Sequence, residues 1–126
     1  MLNENRISGQ IVAAAVEVHK YLGPGLLESA YELALCRELS LRGLKWRRQV
    51  ELPVEYKGVK IDCAYRMDLL VEDTVVVEIK AVEDILPIHQ AQLLTYLRLS
   101  GKKLGLILNF HVALMKDGIV RMVNDL

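Results

Sequence analysis

Apolar residues recur every three or four positions in three parts of the chain, which is the spacing of a helix with one buried face. The three predicted helices cover residues 6–21, 26–41 and 88–99. In the first two, the apolar positions are Ile7, Ile11, Ala14, Ala15 and Val18, then Leu27, Tyr31, Ala34, Leu35 and Leu39. The patterns end at stops that contain glycine: Gly23-Pro24-Gly25, Arg42-Gly43 and Gly101. Pro87 suits the start of the third helix.

Alternating apolar and polar residues predict three strands between the second and third helices. They cover residues 45–55, 59–71 and 74–80, and the turns between them are Lys57-Gly58 and Glu72-Asp73. In the second strand, one face takes Ile61, Cys63, Tyr65, Met67, Leu69 and Val71, and the other takes Asp62, Ala64, Arg66, Asp68 and Leu70. In the third strand, Val75, Val77 and Ile79 oppose Val76, Glu78 and Lys80. Glu78 and Lys80 therefore share a face.

The segment after the third helix predicts one more strand and a hairpin. Residues 104–110 are nearly all apolar, as in a strand buried on both faces, and a strand that follows a helix commonly runs parallel to an earlier one. Asp117-Gly118, between the stretches 112–115 and 119–123, indicates a final hairpin. The whole order predicts an α/β fold with a mixed β-sheet flanked by helices.

Composition limits the class of protein. With 126 residues, of which 52% are apolar, the chain can bury one ordinary hydrophobic core, so we expect a single domain over residues 1–126. Sixteen basic and sixteen acidic residues cancel, and any nucleic-acid surface must therefore be local. Lys45-Trp46-Arg47-Arg48, together with Lys102-Lys103, could contact phosphates, but a charged edge strand explains these residues almost as well.

The two cysteines do not indicate a metal site or a disulfide framework. Cys36 and Cys63 lie far apart and outside any CxxC or Cys/His cluster, so we expect small buried hydrophobes. The first six residues lack the order of a secretory signal, and no apolar run approaches the roughly 18 residues of a membrane helix. We therefore expect a soluble, cytoplasmic protein with no membrane partner.

Asp68 and Glu78 lie on consecutive predicted strands, so a hairpin would bring the two carboxylates together beside Lys80. Phosphodiester hydrolysis requires a divalent cation, an activated water and positive charge near the transition state. Magnesium keeps several waters, so two carboxylates, a backbone carbonyl and the substrate phosphate suffice as its other ligands. The spacing predicts a site in which Asp68, Glu78 and the carbonyl of Ile79 hold the metal. Lys80 would orient the attacking water or neutralise charge on the phosphate.

Residues on two helices would complete this site. Glu28, near the start of the second predicted helix, could accept a bond from metal-bound water or ligate a second ion. Gln92 and Tyr96 are one helical turn apart, and His89 precedes Gln92 by three. These three side chains can line one polar stripe that contacts a nucleic-acid backbone or holds the lysine in place.

The chain resembles the PD-(D/E)XK nuclease superfamily, whose restriction-endonuclease-like core is αβββαβ. The resemblance lies in the order of an early helical Glu, an Asp on a strand, a Glu-x-Lys on the next strand and a following helix. The segment GLLESAY at positions 25–31 is similar to the signature of the GxxExxY family, a set of small proteins assigned to that superfamily. The similarity runs over nearly the whole chain, including AQLLTY at 91–96 and GLILNF at 105–110. Gln92-x-x-x-Tyr96 also resembles an element of exonuclease-type members.

The resemblance implies that core with an extra N-terminal helix and a C-terminal hairpin. It implies that Asp68 and Glu78 are metal ligands, that Lys80 is the catalytic base or stabiliser, and that Glu28 is the helical acid. The implied cofactor is Mg²⁺ or Mn²⁺, and the implied partner is DNA or RNA. Met67 stands where many members have a proline before the Asp, a departure that does not affect ligation.

Each candidate residue also has a plainer interpretation. Glu78 and Lys80 suit a solvated pair on a strand face, Glu28 suits a helix N-terminus, His89 is expected at the surface, and Tyr31 in the core. Two other functions stay open: a nuclease-like fold kept as a nucleic-acid- or protein-binding module, and acids that only satisfy a structural network. So small a domain could also form a homodimer.

Overall fold

The computed structural model of the protein describes residues 3–62 and 65–126. Its helices are α1 (Glu4–Leu22), α2 (Glu28–Leu41) and α3 (Pro87–Ser100). Its strands are β1 (Trp46–Glu51), β2 (Val54–Tyr56), β3 (Val59–Ile61), β4 (Arg66–Val71), β5 (Val75–Lys80), β6 (Leu104–Asn109) and β7 (Ile119–Val123). Among the described residues, no helix is long and apolar enough to cross a lipid bilayer.

Five of the strands form one mixed sheet in the order β1-β4-β5-β6-β7, and β2 and β3 form a separate hairpin. β6 runs parallel to β5, with Val75 opposite Leu104 and Lys80 opposite Asn109, while the other neighbours are antiparallel. Helix α3 makes the crossover between the two parallel strands, as parallel pairing requires. The predicted α/β fold with a mixed sheet flanked by helices is confirmed, as is the parallel placement of β6.

The sheet separates two hydrophobic cores. Helices α1 and α2 cover one face, and α3 covers the other. All five predicted apolar positions of α1 are buried, and Asn3 caps that helix by accepting a bond from the Arg6 N–H at 2.8 Å. The prediction that Leu27 lies on the apolar side of α2 is wrong, because Leu27 precedes the helix as its N-cap and is 77% exposed. The core under α3, called the α3 core, contains Leu52, Met67, Leu70, Val76, Leu93, Tyr96, Leu97 and Ile107.

Two of the predicted strands are interrupted. The strand expected over 45–55 breaks at Pro53, which has no N–H to donate to a ladder, and the strand expected over 59–71 divides into β3 and β4. Met67 was expected on the face of Leu69 but packs with Leu70 in the α3 core instead. The predicted face positions of Cys63 and Ala64 lie outside the described residues.

The partner strand β1 departs from regular pleating beside the point where Met67 changes face. Arg48 pairs with Leu69 and Val50 pairs with Met67, but Gln49, which lies between them, has φ +50. A non-glycine residue in this left-handed region takes the strand out of regular pleating. The residue opposite Gln49 at this break is Asp68.

The C-terminal hairpin is formed by β6 and β7. The prediction that residues 112–115 form its first strand is wrong. A 3₁₀ turn at Met115–Gly118 leads the chain back, so β7 pairs with β6. A side chain on Gly118 would overlap the Asn109 carbonyl oxygen at the end of β6. Only glycine permits this close approach.

Candidate functional site

The β4–β5 hairpin brings Asp68 and Glu78 together where its ladder ends. The last ladder pair is Leu69 opposite Val77, and beyond it side chains replace the backbone pairing. The Asp68 N–H donates to Glu78 Oε2 at 2.8 Å, and the Ile79 N–H donates to Asp68 Oδ2 at 2.8 Å. The two carboxylates are thus fixed by each other's strand and lie side by side.

Glu78 is the most perturbed acid of the site. Its side chain is only 6% exposed. Burial, and then the neighbouring charge of Asp68, raise the pKa of Glu78 from 4.5 to about 8, although the Asp68 N–H and the charge of Lys80 act in the opposite direction. A buried carboxylate beside a second acid is a site that a cation would stabilise.

Glu28 reaches the same end of β5 from the first turn of α2. Its Oε2 accepts a bond from the Ala81 N–H at 3.3 Å, one residue beyond β5. The loop before it is fastened by Tyr31, whose hydroxyl donates to the Gly23 carbonyl at 2.6 Å and accepts from the Leu26 N–H at 3.1 Å. Tyr31 is fully buried, so its expected place in the core is confirmed. Its role is to position the loop that presents Glu28.

Lys80 is the last residue of β5, two positions beyond Glu78 and therefore on the same strand face. Its carbonyl accepts from the Phe110 N–H at 2.9 Å, which ties the strand end to the segment after β6. Lys80 takes part in none of the ion pairs between the described residues.

Comparison with known proteins assigns the chain to a family. The family model of the PD-(D/E)XK nuclease superfamily matches residues 5–122. The chain belongs to the PD-(D/E)XK nuclease superfamily. The resemblance inferred from the sequence is confirmed at that level, and the narrower GxxExxY assignment stays an interpretation of residues 25–31. No curated protein and no solved structure matched the chain.

A hydrogen-bonded network that sequence reasoning missed supports Asp68 in this nuclease-superfamily chain. Glu32, 5% exposed, accepts from Arg48 Nε at 2.9 Å and from Gln49 Nε2 at 2.9 Å. Gln49 Nε2 also lies 3.4 Å from Asp68 Oδ1. Glu32 is one helical turn beyond Glu28, and that spacing was its only sequence signal. Gln49 gave none, because its positive φ depends on the folded sheet.

A cavity of about 310 Å³ opens where this network meets the acids. Its lining includes Glu28, Glu32, Arg48, Asp68 and Ile79. Three of the predicted site residues therefore share one cavity, while Glu78 and Lys80 lie outside its lining. A larger cavity of about 440 Å³, beside His19, lies elsewhere and has mostly apolar walls.

In the two basic clusters, Arg47, Arg48 and Lys102 pair with acids. Arg47 and Lys102 both contact Asp73, at 3.1 and 3.5 Å, in the turn between β4 and β5. Arg48 pairs with Glu32 at 2.8 Å. This pairing fits the interpretation of a charged edge strand, with Arg48 as the member that also faces the candidate site.

The α3 residues lie on the opposite side of the sheet from α2. Gln92 Nε2 donates to the Tyr96 hydroxyl at 3.0 Å. Burial, and then the charge of Glu78, raise the pKa of Tyr96, which places its hydroxyl within electrostatic reach of the acids. His89 is used differently, since its Nδ1 accepts from the Leu86 N–H at 3.0 Å and so caps α3. The expected polar stripe thus reduces to Gln92 and Tyr96.

The donor atoms suit a hard divalent cation. Within residues 3–62 and 65–126, no three His, Cys, Asp or Glu side chains form a cluster able to hold a metal ion by themselves. Mg²⁺ does not need such a cluster, because it retains waters and binds through one or two carboxylates plus substrate phosphate. Glu78 uses one oxygen for a backbone N–H, and Asp68 uses Oδ2 for a backbone N–H while its Oδ1 has only the long 3.4 Å contact with the Gln49 amide. The residues present therefore fit Mg²⁺ or Mn²⁺.

Proposed function

We propose that the protein is a Mg²⁺- or Mn²⁺-dependent nuclease that hydrolyses phosphodiester bonds of DNA or RNA, with residues 1–126 acting as one domain. The observation that carries this proposal is the reciprocal bonding of Asp68 and Glu78 beside Glu28, in a chain of a nuclease superfamily. Two acids placed in this way, one of them buried, favour a bound cation when both are ionised.

Asp68, Glu78 and the carbonyl of Ile79 would hold the metal. When bound, the ion supplies Lewis-acid activation of the phosphate and of the attacking water. It also neutralises the charge that burial disfavours on Glu78. Metal binding should therefore release the proton that Glu78 holds below a pH of about 8.

Lys80 and Glu28 would act on the reacting atoms. The Lys80 ammonium, without an acidic partner among the described side chains, would orient the water or stabilise the charge that develops on the phosphate. Glu28, exposed at the start of α2, would accept a hydrogen bond from the water or ligate a second ion. Gln92 and Tyr96 would support the nearby strands from the α3 side.

A second candidate is a nuclease-like module that binds nucleic acid or protein without turnover. Two observations favour it: the net charge of zero, and the lack of a three-ligand cluster in the described part of the chain. Such a module would hold its partner without a divalent cation. The two candidates therefore differ in whether they need a divalent cation, which is simple to measure.

The test is cleavage of plasmid, single-stranded DNA and RNA by the pure protein in Mg²⁺, in Mn²⁺ and in EDTA. Cleavage should require metal, and Lys80→Ala should lower the rate by roughly 100-fold or more. Lys20→Ala, an exposed lysine on α1, is the matched control and should cleave normally.

Calorimetry separates the site from the reaction. Mn²⁺ should bind the protein and Lys80→Ala, and should not bind Asp68→Asn. Cleavage that Lys80→Ala leaves undiminished would remove the proposal. Binding of nucleic acid in EDTA without cleavage in any metal would favour the interaction module.

Several finer expectations remain predictions. The choice between DNA and RNA follows from the same cleavage assay. A cytoplasmic location and pairing with a second copy are checked by fractionation and by light scattering.

A further inference from the structure

A second cavity lies on the α3 side of the sheet and contains no acid or base. It measures about 330 Å³, near the lower end of the roughly 300–1,000 Å³ of small-molecule sites. Its walls come from the segment just before β4, from β2 and from α3. The side chains that matter to its chemistry are Tyr65, Ile88, Leu99, Gln92, Thr95 and Tyr96.

The cavity adjoins the candidate catalytic residues through Tyr96. That ring belongs to the α3 core with Met67, which precedes Asp68, and Val76, which lies two residues before Glu78. Tyr65, on the opposite wall, is three residues from Asp68 in the chain, a separation of roughly 10 Å if extended. Tyr65 and Tyr96 therefore connect this cavity to the two strand segments that carry Asp68 and Glu78, while the cavity that Asp68 itself lines lies on the α2 side of the sheet.

The lining suits a flat ring with a polar edge. Ile88, Tyr65 and Leu99 are 66%, 46% and 44% exposed, which is unusual for three large apolar side chains around one hollow. An amide and two hydroxyl groups, from Gln92, Thr95 and Tyr96, stand at the same cavity. Nucleobases combine a π-face that stacks on aromatic rings with an edge that forms hydrogen bonds.

We propose that this cavity binds one unstacked base of the substrate, next to the phosphate that is cleaved, so that the protein acts on single-stranded or frayed nucleic acid. This inference rests on the proposed nuclease function. A base inside a duplex is paired and stacked, and must leave the helix before it can enter such a pocket.

The first experiment measures binding without cleavage. A fluorescein-labelled oligothymidylate is titrated with the protein in EDTA and in Ca²⁺, beside the same strand carrying abasic positions. The intact strand should bind roughly 5- to 100-fold more tightly, which is the range expected for loss of one stacked base. Equal binding of the two strands, or no binding of either, would overturn the inference. This experiment needs no variant of the protein.

Variants locate the effect. Tyr65→Ala should weaken binding of the intact strand to the level of the abasic one, and Tyr65→Phe should restore it because the ring remains. Tyr21→Ala, which removes an 87% exposed ring on α1, is the matched control and should bind as the unchanged protein does. A Tyr65→Ala protein that folds and binds normally would also overturn the inference.

Cleavage assays distinguish this inference from the proposed function. If the protein cleaves blunt duplex as fast as single strands, the nuclease proposal stands and the base pocket fails. If it cleaves nothing while Tyr65→Ala still abolishes base-dependent binding, the pocket stands and the nuclease proposal fails.

Discussion

Replacing Glu78 with Gln should stabilise the metal-free protein while abolishing metal binding. Glu78 is buried next to Asp68, and these two causes raise its pKa to about 8. Gln keeps a carbonyl oxygen that can accept from the Asp68 N–H, and it adds an N–H₂ group that can donate to the Asp68 carboxylate. The substitution removes the charge and preserves the shape.

The magnitude follows from the shift. A rise from 4.5 to about 8 is roughly 3.5 units, and at ~1.4 kcal/mol per unit the ceiling on the cost is about 5 kcal/mol. At pH 7 only the interval between 4.5 and 7 contributes, which leaves about 3 kcal/mol. That is a large part of the ~5–15 kcal/mol that stabilises a typical domain.

The sign gives a pH dependence. Because the pKa of Glu78 is higher in the folded state, its contribution to stability is fully present below pH 4.5 and is lost as the pH rises toward 8. The unfolding free energies of the original protein and of Glu78→Gln should therefore diverge between pH 5 and pH 8. They should converge again near pH 4.

The assay is urea denaturation followed by circular dichroism, in EDTA, at pH 5, 7 and 8. Glu17→Gln, an exposed acid on α1, is the control for loss of one negative charge. Adding Mn²⁺ should stabilise the original protein by mass action and leave Glu78→Gln unchanged. A Glu78→Gln protein that is less stable at pH 7, or a difference that does not vary with pH, would refute the reasoning.

Three further predictions follow from single contacts. Gln49→Ala should weaken Mn²⁺ binding by roughly 10- to 100-fold by calorimetry, because it removes the amide beside Asp68, and an unchanged affinity would contradict that role. Gly118→Ala should cost more than ~2 kcal/mol in urea denaturation, since its methyl group would overlap the Asn109 carbonyl; a normal midpoint would show that the turn can move. In a Cys63→Ser variant, Cys36 should resist a disulfide reagent until urea is added, because burial raises the pKa of its thiol to about 11. Fast labelling of the folded chain would disprove this.

Regular elements could be predicted from the sequence because their signal is local. The period of α1 and the apolar run of β6 each identify a buried surface, and the structure buries them as expected. The hairpin of β4 and β5, at whose end Asp68 and Glu78 lie, also follows from local signals, since two strands and one turn determine its register.

Irregular backbone could not be predicted, because its cause lies in contacts between distant segments. Gln49 has no sequence feature that indicates a positive φ, and the alternation of residues along β4 does not predict that Met67 packs in the α3 core. The 3₁₀ turn before β7 is similar, because Gly118 is required there by the Asn109 carbonyl and not by a turn type. The sequence places Glu32 on a helix as an acid, but its link to Asp68 passes through that same Gln49.

At the break in the β1–β4 ladder, one amide contacts an acid from a helix and an acid from the sheet. Because Gln49 leaves the regular strand, its amide reaches both Glu32 on α2 and Asp68 on β4, which a pleated side chain on either face would not do. The charged side chains of this region are the acids Glu28, Glu32, Asp68 and Glu78 and the bases Arg48 and Lys80, of which Glu32, Arg48 and Asp68 are joined through side-chain hydrogen bonds that include Gln49. Their formal charges leave an excess of two negative charges, which one divalent cation would balance. Stability and metal affinity should therefore change in opposite directions when Glu78 is neutralised, whereas loss of Gln49 should lower both.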